Sequence, residues 1–167
     1  MPLPESVRAT LLNLDRTQQG ISWSAPEQWH VTIHFFEDID IEKVKSLFFG
    51  MKAQRAVAII GPEVRRLGEE VLVVPVNGLS VLEEDVRVAI PIQRSNESLP
   101  FFGHITLGRI KQTLTVDLEG KRVEGSFKVN RLLLVESQVT PSGHKHSVVG
   151  SQPVSYTHLT LPTNSLV

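Results

Sequence analysis

Along this chain, apolar residues recur at helical spacing in three stretches and crowd into short β-rich runs in several others. Pro4 to Leu14 is predicted helical, with Pro4 in the first turn, where its missing N–H is no loss, and Val7, Leu11, Leu12 and Leu14 along one stripe. Asp40 is the expected N-cap of a second helix, in which Ile41, Val44, Leu47, Phe48 and Met51 repeat. Ser80 and Glu83 have the spacing of a Ser-x-x-Glu capping box and open a third helix that ends before Pro91. Strands are predicted over Gln28 to Phe36, Ala56 to Ile60, Val71 to Val76, Phe101 to Arg109 and Phe127 to Val135. The Thr140-Pro141-Ser142-Gly143 turn leads to a last strand near His146 to Val149. Some neighbouring strands are joined by turns too short for a crossover, so the pattern is α+β with mixed or antiparallel sheets.

Two of the predicted strands share a sequence. His30-Val31-Thr32-Ile33 and His104-Ile105-Thr106-Leu107 are both His-x-Thr-x, 74 positions apart, each after a helix and a loop. A strand sends alternate side chains to opposite faces. His30 with Thr32, and His104 with Thr106, therefore share a face, while Val31, Ile33, Ile105 and Leu107 turn into a core. The spacing suggests an internally duplicated fold that brings the two motifs together symmetrically.

Composition narrows the classes. The chain has 167 residues, 41% hydrophobic and 21% charged, which suits one domain or two closely packed lobes and not a disordered chain. A net charge of −1 excludes a protein that coats nucleic acid by bulk charge, but allows a local basic cleft. With no Cys there is no disulfide framework, thiolate nucleophile or cysteine zinc site. No apolar run approaches the ~20 residues of a membrane span, and no signal peptide is visible, so a cytoplasmic location is expected.

An imidazole titrates near pH ~6.5, so two facing histidines can hold one proton between them near neutrality. One ring can take a proton from water while the other gives one to a departing oxygen, each worth ~10²–10⁴-fold. Thr32 and Thr106 would direct hydroxyls at the non-bridging oxygens of a phosphate. This set hydrolyses a phosphodiester without metal or cofactor, and none is expected.

The residues also resemble a family. Trp23-Ser24-Ala25-Pro26-Glu27-Gln28-Trp29-His30-Val31-Thr32-Ile33-His34-Phe35-Phe36 is similar to the first signature of the 2H phosphoesterases. Within that group it resembles the RNA 2′,3′-cyclic phosphodiesterase or 2′-5′ RNA ligase branch. Phe102-Gly103-His104-Ile105-Thr106-Leu107-Gly108-Arg109 resembles the second signature, with Gly103 in place of a common proline. Val135 to Gly143 is similar to the family's late strand and turn. The resemblance implies a bilobal, pseudo-symmetric pair of antiparallel sheets facing across a cleft, with helices outside. It implies hydrolysis of 2′,3′-cyclic phosphate ends of RNA or nucleotides to 2′-phosphomonoesters by a monomer, with reverse 2′-5′ joining as a second reaction. It makes His30 the proton donor and His104 the proton acceptor. The family carries an apolar strand ahead of its Leu-Pro, here Leu3-Pro4; this chain lacks it, so one sheet is expected to be a strand short. The family-like domain is read as residues 1–154, and residues 155–167 as a tail outside it, including a third formal match at His158-Leu159-Thr160-Leu161.

Other residues carry two readings each. His34 shares the parity of His30, which fits a phosphate contact or a solvated strand end. Strict alternation puts Arg109 opposite His104, so a phosphate-binding role requires the strand to end or bulge at Gly108. Phe36 fits a base-stacking surface or a core position, as do Trp23 and Trp29. Arg65 and Arg66 read as surface charges. His144 and His146, with His30 or His34, are the weak alternative of a zinc site. A non-catalytic module that captures phosphorylated nucleotide or RNA ends is the alternative to the enzyme.

Overall fold

The computed structural model describes residues 1–37, 39–92, 100–111, 115–140 and 143–154. The loop expected over Gln93 to Pro100 falls largely outside them, as do Pro141-Ser142 and the tail from residue 155. Among the described residues, eight strands and three α-helices follow in order: α1 (Glu5–Leu12), β1 (Ile21–Trp23), α2 (Ile41–Gly50), β2 (Val57–Ile60), β3 (Arg65–Leu67), β4 (Val71–Asn77), α3 (Ser80–Ala89), β5 (His104–Ile110), β6 (Gly125–Lys128), β7 (Arg131–Thr140) and β8 (Gly143–Pro153). Every named strand pairing is antiparallel. One sheet runs β1-β5-β4-β2-β6, with β3 also on β4, and β7-β8 form a separate two-stranded ribbon.

The helices form where expected. Asp40 caps α2, its side chain accepting from the backbone N–H groups of Glu42 at 3.0 Å and Lys43 at 3.3 Å. The α3 capping box does not form: Leu79 is the N-cap, no side chain caps the helix, and Ser80 is already helical. Glu83 turns instead to His34, its Oε1 3.6 Å from the ring Nδ1. The single strand expected over Phe127 to Val135 is two, because the chain leaves β2 at Val129-Asn130 and starts the ribbon at Arg131. β3 was not legible, since Arg65-Arg66-Leu67 alternates weakly; its arginines are held by Glu63 and Glu119.

The largest difference lies at the first motif. Gln28 to Phe36 was expected to be a strand, but only His30 and Val31 are paired, each by an isolated antiparallel bridge. His30 bridges Pro2 and Val31 bridges Ile105. The N–H and C=O of Val31 are taken by Met1, at 3.1 and 2.8 Å. Among the described residues no ladder continues past Thr32, so alternation is enforced only around Val31.

The core joins both motifs. Val31, Ile105 and Leu107 are completely buried and Ile33 nearly so, alongside Leu72, Val74 and Leu82. β5 fits its neighbours through Gly108, where an added Cβ would lie 2.9 Å from both Ile21 Cγ2 and Ser22 O. Gly108→Ala should therefore destabilise by about 1–3 kcal/mol in urea denaturation, while Gly50→Ala, which has open space, should stay within ~0.5 kcal/mol.

Candidate functional site

The bridge between Val31 and Ile105 sets the two His-x-Thr motifs antiparallel and side by side. With those two opposite each other, His30 stands across from Thr106 and Thr32 across from His104. All four project from the face opposite the buried Val31 and Ile105. The two histidines take one diagonal of the quartet and the threonines the other. Such diagonals span about 7–8 Å between backbones, a gap suited to one small anion. A local two-fold relation through the bridge makes the arrangement symmetric.

The same symmetry governs the rings. His30 Nδ1 lies 2.6 Å from the carbonyl oxygen of Gln28, and His104 Nδ1 lies 2.8 Å from that of Phe102. A carbonyl only accepts, so each Nδ1 carries the proton and donates it. In its neutral form each ring is thereby fixed in the tautomer that leaves Nε2 as the proton-accepting atom. The bond goes each time to the residue two positions upstream, which ties ring orientation to the local backbone.

The environment of His30 disfavours its charged form. Burial lowers its pKa most; the bond to Gln28 pulls it up, and the N-terminal ammonium, His146 and His104 push it down further. His146 comes from β8 and meets His30 edge-to-face, with ring centroids 5.4 Å apart. The ribbon thus brings a third imidazole to the pair, which the sequence offered only as one member of a zinc site.

Arg109 meets the condition its role required. Thr106 pairs with Val73 but Gly108 with Leu72, so β5 carries an extra residue, Leu107, against β4. Such a bulge reverses the alternation beyond it. Arg109 is exposed between buried Gly108 and Ile110, and it rejoins the side of His104 and Thr106. His34 and Phe36 go elsewhere. The His34 side chain is only 3% exposed, beside Glu83, and Phe36 packs on it with ring centroids 4.6 Å apart. With no strand past Thr32, His34 does not inherit the facing of His30, and its ring is too enclosed for a substrate phosphate. Phe36 packs on the core, as the second of its two readings held. Trp29 is buried under Arg16, whose guanidinium lies 4.8 Å from the ring centroid.

Phe102 was not singled out by sequence. It is 45% exposed, and its ring stacks on His104 at 5.7 Å between centroids and 22° between planes. Its place two residues before a motif histidine was the signal available. Among the described residues, no three His, Asp or Glu side chains group so as to hold a metal ion. Nor, among them, is any helix long and apolar enough to cross a membrane.

Residues 1–59 match the family model described as LigT like Phosphoesterase. A crystal structure of TT0787 of Thermus thermophilus is 22% identical, covers 91% of this chain and 93% of its own, and superposes with a TM-score of 0.69. Escherichia coli LigT complexed with 3′-AMP is 19% identical, with 93% and 95% covered and a TM-score of 0.71. Residues 1–59 are thus similar in sequence to that family, and the fold of the chain is similar to that of these structures. The likeness extends over nearly the full length of these structures, so ribbon and sheet belong to one LigT-like architecture. No functionally curated protein sequence matches the chain.

In an NMR titration, His30 should lose its proton below the ordinary imidazole pKa of about 6.5 and be neutral at pH 7. Removing the His146 ring, whose electrostatic interaction opposes charge on His30, as in His146→Asn, should move that midpoint upward. A midpoint at or above the ordinary value would contradict the electrostatics described.

Proposed function

We propose that this LigT-like chain, within a single domain of residues 1–154, hydrolyses 2′,3′-cyclic phosphate ends of RNA or nucleotides to 2′-phosphomonoesters. The carrying observation is the symmetric quartet of His30, Thr32, His104 and Thr106, with both Nε2 atoms left for proton transfer. A cyclic phosphate in the diagonal gap would meet one imidazole on the side of the attacking water and the other on the side of the leaving 3′-oxygen. His104 takes the water's proton; His30 gives a proton to the 3′-oxygen as its P–O bond breaks. The water oxygen forms the new bond to phosphorus, and the unbroken bond to the 2′-oxygen leaves a 2′-phosphomonoester. A lowered pKa suits this role, because a charged His30 is then the stronger acid, and the incoming anion restores its proton. Thr32 and Thr106 donate to the non-bridging oxygens, and Arg109 offsets charge that builds on the phosphorane. In 2′-5′ joining a 5′-hydroxyl takes the place of water and the roles are kept: His104 takes its proton, its oxygen bonds to phosphorus, and the 3′-oxygen leaves with the proton of His30.

The solved complexes of E. coli LigT with 3′-AMP and with phosphate support a nucleotide-scale, phosphate-bearing ligand for this fold. No step requires a metal ion. A binding module without turnover would share the quartet and differ only in the rate.

Purified protein should convert 2′,3′-cyclic nucleotides to the 2′-monophosphate at an undiminished rate in EDTA. His30→Ala and His104→Ala should each cut turnover by about 10²–10⁴-fold while the folded spectrum is kept. Full activity in both variants would end the reading, and tight binding without turnover would favour the binding module. In wild type, kcat/KM should be bell-shaped in pH. Its acidic limb should lie below the ordinary imidazole value, because the lower of the two coupled titrations cannot exceed that of His30.

A further inference from the structure

We propose that Phe102 is a nucleobase platform, so that the site selects phosphates attached to a nucleoside over base-free phosphates. This rests on the reading of the His-Thr quartet as a phosphate site. Phe102 keeps 45% of its surface exposed although it lies only two residues ahead of β5, whose Ile105 and Leu107 are buried. An aromatic ring so placed would ordinarily turn into the core, as Phe36 does.

Its position is fixed twice over. The Phe102 carbonyl receives the Nδ1–H of His104, and its ring stacks on that same imidazole, 5.7 Å between centroids and 22° between planes. This is an offset stack within the range that aromatic pairs favour. The next residue admits no drift either. Gly103 is buried, its carbonyl accepts from Val76 N at 2.8 Å, and an added Cβ would lie 2.4 Å from Val76 O. The phenyl ring is therefore a rigid, solvent-facing plane one imidazole away from the anion gap. In a nucleoside 2′- or 3′-phosphate, one furanose ring separates the base from the phosphate. A base laid on the outer face of Phe102 would extend the stack of imidazole and phenyl while its phosphate sits between the histidines. Stacking of this kind is tolerant of base identity, since every base presents a π-face. The platform would therefore read the presence of a base and not its sequence.

Equilibrium binding separates this from turnover. Adenosine 2′-monophosphate and glycerol 2-phosphate serve as probes with and without a base, titrated calorimetrically into wild type, Phe102→Ala and Phe102→Trp. Wild type should prefer the nucleotide by about ten-fold, the scale of one base–aromatic stack. Phe102→Ala should lose that preference by weakening only the nucleotide, and Phe102→Trp should keep or increase it. Unchanged nucleotide affinity in Phe102→Ala would overturn the proposal. So would equal loss for both probes, which would mean the ring acts only by steadying His104. If cyclic nucleotides bind with this preference yet are not hydrolysed, the hydrolase reading fails while the platform stands.

Discussion

The contact between Val31 and Ile105 is the constraint on which the site depends. Both side chains are wholly buried and face each other across a single antiparallel bridge. Burying them fixes the opposite facing of the residues on either side, because backbone alternation leaves no other choice. A slip of one residue would send His30 and Thr32, or His104 and Thr106, into hydrocarbon, where unpaired polar groups are costly. Hydrophobic burial, worth about 1.5–3 kcal/mol for each such aliphatic side chain, thus enforces the placement of polar groups that contribute little to stability themselves.

Ring orientation is set by a second, equally local device. Each imidazole is held by the carbonyl two residues upstream, so the backbone that delivers the histidine also selects its tautomer. The two halves still differ. His104 stands at the start of a seven-residue strand paired on both sides. His30 sits in a segment held by isolated bridges and by Met1, with His146 leaning on it from the ribbon. The surroundings of His30, burial first, hold its pKa below the ordinary imidazole value.

The bulge on β5 shows how one glycine connects packing to chemistry. Gly108 lets β5 press against Ile21 and Ser22, and the extra residue at Leu107 changes which face Arg109 occupies. Without it, the cation would lie across the sheet from the histidines. The same strand accordingly presents a histidine, a threonine and an arginine to one side, although strict alternation allows only the first two.

Much of this was legible beforehand. The paired His-x-Thr pattern, the apolar residues between, the Asp40 cap and the turn signals all express short-range rules that need no neighbour. The spacing of His30 and His104 could suggest symmetry but not contact. Contact was decided by a bridge between Val31 and Ile105, residues far apart in the chain that only the assembled core brings together. His34 and Phe36 show the limit from the other side: alternation placed them with His30, but the pairing ends at Val31, α3 supplies Glu83 beside His34, and Phe36 packs on the His34 ring. The exposed Phe102 ring was likewise invisible, and His146 was offered only as a metal ligand, because exposure and ring-to-ring contact belong to the packed molecule. The sequence by itself determined which residues could do the chemistry and which face each would take within its own motif. The tertiary structure alone decided which of them meet, since only long-range packing sets the distances over which charge and hydrogen bonding act.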